Sequence, residues 1–516
     1  MDFSSRYHSL SEPLICASSC VIGLLLRFME TISRANSTVL DPARLDPTRR
    51  VEATRLAAML GRWGDDTGPL HRLLTTALDD LIDRGILRHG DTLPPERRLA
   101  DALSVSRGTV VKAYTQLADD GVVMRRQGSG TTVTTAPVAL SSSEGQLGSA
   151  LFERNESSIE LLVAIPGPLP GALDIAANPD LGRYANHLGE NEPAGIDPLR
   201  EKIAAHITAS GLPTRPSQVL VCAGAQHGLS LVNQLFVTAG EYVLTEHWTW
   251  PAAVDGVTSR GGRVHGISID EGGVIPEQLQ TDIEHFRPTM IMLNPHHHNP
   301  TGTRTNEARR AEIAQIAAAY GVVLVEDRVN AHIAYDRVVA PPFGSYGAGG
   351  QAIVIDSICK VAWPGFRVGW IRADAQIIAK LRDLRALSDL FSPVPMQIAA
   401  IDVLEAWDDL VAARVAEIVE RRDVLFAACA ESLPEWRAHK PRGGLVSWWE
   451  IPYGAATEFA AFAQRYGVQV ASGNQFAAHV RDDRHIRLPF TATEAELIEG
   501  IRRLGVAWSD YAAQAA

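Results

Sequence analysis

The chain is short of cysteine, of positive charge and of long apolar runs, and each shortage removes a class of protein. Five cysteines (Cys16, Cys20, Cys222, Cys359, Cys429) are scattered through 516 residues. Their odd number and wide spacing build neither a disulfide framework nor a zinc ribbon, which points to a reducing, cytoplasmic setting. Lys and Arg total 48 against 60 Asp and Glu, a net charge of −12. Such a chain does not coat nucleic acid through bulk charge, although an acidic body can still carry a small reader domain. The apolar run Leu14–Leu26 falls short of the roughly 20 residues that cross a bilayer. With only Arg6 ahead of it, it also makes a poor signal peptide. No membrane association is expected. Residues 1–50 are expected to be a disordered extension, or translated sequence upstream of a start at Met29.

What is present is ordinary globular composition, 46% hydrophobic and 21% charged, in a length that suits about three domains as a first guess. Val51–Trp63 carries a short helical pattern. Gly68-Pro69 opens a second helix with Leu70, Leu73, Leu74, Ala77, Leu78, Leu81 and Ile82 on one face, the three-and-four spacing of an amphipathic helix. A third helix runs from about Pro95 to Leu103, with Pro in its permissive first turn. A tight turn follows, Ser106 stands at an N-cap position, and a fourth helix spans about Arg107–Asp119 with Gly121 as its stop. Val122–Val133 reads as a hairpin with Gly128-Ser129-Gly130 at the tip.

Two short helices, a tight turn and a hairpin make the layout of a winged helix-turn-helix, in which the second helix offers its first residues to base edges. Those residues are Arg107, Gly108 and Thr109, then Lys112 one turn on. Arg and Thr can read bases, and Gly108 lets backbone come close. Arg126 and its neighbours on the hairpin reach for phosphate or the minor groove. Between Gly68 and Val133 nine basic and eight acidic residues leave only +1, so placement rather than total charge favours DNA. The segment from Leu93 to Val133, with Leu93-Pro94-Pro95-Glu96-Arg97, Val105-Ser106-Arg107-Gly108-Thr109-Val110 and Gln127-Gly128-Ser129-Gly130-Thr131, resembles the DNA-binding domain of the GntR family of bacterial regulators. The resemblance implies DNA-contacting roles for Arg97, Arg107, Thr109 and Gly128; Ser106, Gly108, Lys112 and Arg126 join them from the layout.

Residues 136–160 read as a linker, between a reader at 51–135 and a large domain at 161–516. In that domain apolar strand candidates Val219–Cys222, Tyr242–Thr245, Met290–Leu293, Val322–Val325, Ala352–Ile355 and Val368–Ile371 alternate with helical stretches, the pattern of a mostly parallel α/β sheet. Ser357-Ile358-Cys359-Lys360 follows one of these strands directly, and Arg367 lies seven residues on. A lysine so placed suits an aldehyde cofactor bearing a phosphate: the amine forms a Schiff base, while Ser357 and Arg367 hold phosphate oxygens. Gly224-Ala225-Gln226 sits between a strand and a helix, where N–H groups bind anions. Asp327 ends a strand, where pyridoxal 5′-phosphate needs an acid for its ring nitrogen. Asn299 can hydrogen-bond the ring hydroxyl and Trp250 can stack on the ring.

Leu199-Arg200, Gly224-Ala225-Gln226, Trp250-Pro251, Asn299-Pro300-Thr301-Gly302, Glu326-Asp327, Ser357 with Lys360, Arg367 and Arg487 occur in that order. From about Pro166 onward the chain resembles the fold-type I aminotransferases, and a GntR-type reader ahead of such a body resembles the MocR-type transcription regulators. The resemblance implies that Arg487 grips an effector's α-carboxylate, and that the protein is a homodimer. Departures from the pattern are Val329 where a Tyr commonly reaches the ring hydroxyl, Trp250 where Tyr commonly stacks, and Glu190 near a position where many members carry Tyr. They leave Asn299 as the partner of the ring hydroxyl and argue against efficient turnover.

His296-His297-His298 offers no metal site, since adjacent loop histidines cannot all point one way; a histidine stacking near the cofactor is expected instead. The resulting expectation is a cytoplasmic regulator that binds a double-stranded DNA operator and senses an amino acid or amine by Schiff-base exchange at Lys360. A working aminotransferase tethered to DNA and a sensor of cofactor abundance remain as alternatives.

Overall fold

The computed structural model describes residues 50–60, 63, 68–83, 87, 91–119, 122–126, 130–133, 158–189, 191–478 and 483–515. The chain divides into two compact units, residues 1–141 and 142–516.

Among the described residues of the first unit, the helices α1 (Ala53–Leu60), α2 (Leu70–Asp83), α3 (Glu96–Leu103) and α4 (Arg107–Asp119) accompany β1 (Thr92–Leu93), β2 (Val123–Arg126) and β3 (Gly130–Val133). The periodic leucines form the core: Leu56, Leu74, Leu78 and Leu99 are fully buried with Val110, Ala113 and Tyr114. The strands make an antiparallel sheet in the order β1-β3-β2, with Val123 opposite Val133. Pro95 stands at the N-cap of α3, one position ahead of the first-turn place expected for it. Ser104 ends that helix in the left-handed region at φ 56°. The Ser106 hydroxyl then accepts the Thr109 N–H at 3.1 Å and starts α4 as an N-cap. Gly121 and residues 127–129, the expected helix stop and hairpin tip, lie outside the described residues.

The second unit is built on a seven-stranded sheet, β5 (Val219–Cys222), β13 (Gly369–Arg372), β12 (Ala352–Ser357), β11 (Val323–Asp327), β10 (Met290–Leu293), β6 (Tyr242–Glu246) and β7 (Arg263–Ile267), in that spatial order. From β12 to β7 the neighbours run parallel, while β13 runs antiparallel to both β12 and β5. The fold is α/β as expected. The short hairpin β8 (Ile269–Asp270) and β9 (Gly273–Val274) leads on from β7. A second sheet of order β14-β15-β17-β16-β4 combines Arg437–Ala438, Val446–Glu450, His485–Pro489, Val468–Ser472 and Ile159–Leu161.

Strand β4 corrects the linker. Ile159 and Glu160, inside the span read as a connection, pair with Val468 and Gln469 of β16. Three residues paired with a strand some 300 positions away carry no local signature that periodicity could detect.

Candidate cofactor site

Ligand sites of parallel sheets form beyond the carboxyl ends of the strands, and here a cavity of about 210 Å³ opens at that edge. Gly224, Ala225, Gln226, Trp250, Asn299, Asp327, Ser357, Lys360 and Arg367 all line it. Residues separated by more than a hundred positions meet because β5, β11 and β12 end at the same sheet edge.

At one end stands Gly224, φ +84°, as N-cap of the helix Ala225–Phe236. The backbone angle favours glycine, and a side chain at Gly224 would come within 3.2 Å of Arg367 Nη2 and press on that guanidinium. Arg367 donates to the Ala223 carbonyl at 2.6 Å and itself has φ +52°, a left-handed geometry uncommon outside glycine. Ser357 Oγ donates to the Val368 carbonyl at 2.9 Å and accepts the Cys359 N–H at 3.1 Å. The first N–H groups of Ala225–Phe236 have no acceptor within their own helix. Helix N-terminus, hydroxyl and guanidinium together form an anion cradle.

In the middle of the cavity wall, Lys360 Nζ donates to the Ala164 carbonyl at 2.6 Å. Burial lowers its pKa to about 8, against an opposing influence from Asp327. Asp327 is pushed up to about 6 by burial, while the Val329 N–H donated to its Oδ1 at 3.0 Å pulls the other way. Val329 therefore contributes its backbone to Asp327 and an apolar side chain to the cavity. The Trp250 indole N–H donates to Gln226 Oε1 at 3.1 Å, tying the candidate stacking residue to the cradle.

Arg487 does not line the cavity; it lies fully buried behind Asn299, donating to Asn299 Oδ1 at 3.2 Å and to the Leu162 carbonyl. Its guanidinium stacks 4.7 Å from the Phe476 ring centroid, and its Nε is buried without a partner. The histidine expectation fails. His296, His297 and His298 are all buried and none lines the cavity. His296 Nε2 lies 2.9 Å from Glu326 Oε1, and His298 Nδ1 lies 2.7 Å from Thr301 Oγ1. Within this loop His297 takes φ +47°. Glu190 lies outside the described residues.

Several lining residues escaped the sequence reading: Val163, Ala164, Ile165, Asn294, Asn330 and Cys359. Asn294 Oδ1 is buried with no hydrogen-bond partner. Only its place at the end of β10 could have flagged Asn294, and nothing local marks 163–165.

On the first unit, Arg97, Ser106, Arg107, Gly108 and Lys112 are exposed, and Thr109 is half-buried. Arg107 and Arg125 both donate to the carboxylate of Glu96. Arg126 is the last residue of β2, paired with Gly130; Gly128 lies outside the described residues. Among the described residues no helix is long and apolar enough to cross a membrane.

Comparison with known proteins agrees with this geometry. Residues 175–504 match the family of class I and II aminotransferases, and residues 73–133 match bacterial regulatory proteins of the gntR family. The HTH-type transcriptional regulator TauR of Rhodobacter capsulatus is 28% identical, covering 84% of this chain and 95% of its own. The HTH-type pyridoxine biosynthesis transcriptional regulator PdxR of Corynebacterium glutamicum is 30% identical over 60% of this chain and 68% of its own. Among solved structures, the α-aminoadipate aminotransferase of Thermus thermophilus, complexed with N-(5′-phosphopyridoxyl)-L-leucine, aligns with a TM-score of 0.64 at 26% identity, covering 70% of this chain and 94% of that one.

Pyridoxal 5′-phosphate is the cofactor of this aminotransferase family. The site fits it: an anion cradle, an amine with a lowered pKa, a buried carboxylate and the orphaned Asn294 oxygen face one cavity. With its aminotransferase fold and its winged-helix reader, the chain belongs to the class I and II aminotransferase family and is a transcription regulator of the MocR type within the GntR family.

Proposed function

We propose that this regulator senses an amino acid or amine by Schiff-base exchange at Lys360. The reading rests on one observation: Lys360, Asp327 and the cradle of Gly224, Ser357 and Arg367 meet at a single cavity. When bound, the cofactor supplies an aldehyde that condenses reversibly with primary amines and a ring that withdraws electrons.

The residues divide the work. With its pKa near 8, Lys360 holds a useful fraction of neutral amine at physiological pH, and only the neutral form attacks a carbonyl. Ser357, Arg367 and the N–H groups of Ala225 and Gln226 would hold the phosphate. Asp327 would keep the ring nitrogen protonated, Trp250 would cover a ring face and Asn299 would bond the ring hydroxyl. Arg487 would take the ligand's carboxylate by a bidentate pair.

In the reader, Arg107, Gly108, Thr109 and Lys112 would face bases, with Arg97, Ser106, Arg126 and Gly128 supporting the dock on DNA. A cytoplasmic homodimer would place two readers on paired half-sites. Regulation then requires that the ligand bind the two arrangements of the protein with different affinities.

The coexistence of Lys360 and Asp327 at the cavity also favours a second reading, a working aminotransferase tethered to DNA. One titration separates the two. Protein loaded with pyridoxal phosphate is mixed with a panel of amino acids while absorbance, keto-acid product and operator affinity are followed together. Absorbance and affinity moving together, with slow product, supports the sensor. Rapid multiple turnover with unchanged operator affinity supports the tethered enzyme, and protein that stays colourless with the cofactor removes both.

A further inference from the structure

Residues 162–169 continue from β4, and from 163 to 169 the chain has neither helix nor strand. Side chains hold this strap. The Leu162 carbonyl accepts from Arg487 Nη2, the Val163 carbonyl from Thr491 Oγ1 at 3.1 Å, and the Ala164 carbonyl from Lys360 Nζ at 2.6 Å. Farther along, the Gly167 carbonyl accepts from Arg414 Nη2 at 2.6 Å, and the Leu169 N–H donates to the Ala362 carbonyl at 3.3 Å. Two of three consecutive carbonyls therefore occupy the donors that the proposed function assigns to cofactor and ligand. Val163, Ala164 and Ile165 line the same cavity.

The competition is unequal. A carboxylate accepts two parallel bonds from a guanidinium and carries charge, so it outbids a single neutral carbonyl. Arg487 Nε, buried and without a partner, is a donor left over for such a pair. An amine without a carboxylate has nothing to offer there.

We propose that the strap at 162–165 is released in two steps, and that a ligand must carry a carboxylate to complete them. Loading the cofactor takes Lys360 from Ala164, and the ligand's carboxylate takes Arg487 from Leu162. The proposal rests on the sensor reading and narrows its ligand class to amino acids, excluding simple amines as effectors. The strap is continuous with β4, the edge strand of the second sheet.

Hydrogen exchange of the full chain tests this. The Leu169 amide, bonded to Ala362, and the amides of β4 at the strap's other end should exchange faster on cofactor loading, and roughly tenfold faster again with L-amino acids that shift the absorbance. The decarboxylated amines of the same side chains should shift absorbance without the second increase. In loaded, ligand-free protein, Arg487→Gln should raise exchange at Leu169 and in β4 while β10 and β11 stay protected. Should that variant not fold, Thr491→Val removes the Val163 anchor and should raise it in the same way. Unchanged strap exchange in whichever variants fold, or release by amines equal to that by amino acids, overturns the proposal. If no ligand shifts the absorbance, the sensor reading fails on its own account, and the variants still decide the strap.

Discussion

Arg107 Nη2 lies 3.2 Å from Glu96 Oε2, so the first residue of the recognition helix is held by the first residue of the helix before it. Glu96 also takes Arg125 from β2. Both arginines are thereby oriented and partly neutralised before any DNA arrives. Arg107→Ala should weaken operator binding by about 1–3 kcal/mol, the worth of a good base contact, with cofactor absorbance unaffected. Glu96→Gln should steepen the salt dependence of binding to unrelated DNA, since each added phosphate contact adds roughly 0.9 to the slope. Fluorescence anisotropy across salt concentrations checks both. An unchanged footprint for Arg107→Ala would mean that α4 is not the reading helix.

With Lys360 as the proposed Schiff-base amine, the wild-type protein should turn yellow with pyridoxal phosphate and Lys360→Ala should not. Borohydride reduction followed by peptide mass analysis should put the added mass on the peptide containing Lys360. Label on another lysine would displace the assignment.

The same amine sets a pH dependence. Burial lowers the Lys360 pKa to about 8, so the reactive neutral fraction grows as pH rises through that value. Cofactor incorporation into cofactor-free protein should accelerate between pH 7 and 9 and level off above, as read by stopped-flow absorbance. A midpoint near 10, the ordinary lysine range, would place Nζ in water.

Asp327 behaves in the opposite sense. Its pKa is raised by folding to about 6, so the native state holds the extra proton and the carboxylate costs stability as pH rises from about 4 through 6. Asp327→Asn should therefore stabilise the cofactor-free protein by about 2–3 kcal/mol at pH 7.5 and leave it unchanged near pH 3.5. The variant should also lose cofactor affinity at least roughly tenfold, because the ring nitrogen loses its anion. Urea unfolding at the two pH values measures the first effect, and equilibrium dialysis the second.

Glu326 is structural. Its carboxylate takes Arg310 Nη1 at 2.9 Å, Arg328 Nη1 at 3.3 Å and the Phe343 N–H at 2.7 Å, beside His296. Burial would raise its pKa, but the His296 hydrogen bond and the charges of Arg328 and Arg310 hold it well below the usual carboxylate range. Its stabilising contribution is thus present above the ordinary carboxylate pKa and is lost as pH falls below it. Glu326→Gln should cost about 3–5 kcal/mol by leaving buried cations uncompensated. Calorimetry giving less than about 1 kcal/mol would contradict this.

Much of this protein was legible in the order of its residues. Leucines spaced by three and four determined α2, because a helix brings exactly those positions to one face. Apolar runs determined β5 and β10 to the residue, since strands buried on both faces need no alternation. Cradle, lysine and acid could be located because each stands at or within three residues of a strand's end, and strand ends in a parallel sheet converge. What only the tertiary structure decided are contacts between segments with no local signal. The pairing of Ile159 with Val468 made a strand of what read as a linker, because three residues acquire β structure only from a partner. Three adjacent histidines, His296 to His298, lie in the core and away from the cavity. Arg487, expected from the sequence to grip a carboxylate, is bonded by the Leu162 carbonyl from the other end of the domain, since a buried guanidinium must find acceptors wherever the fold supplies them.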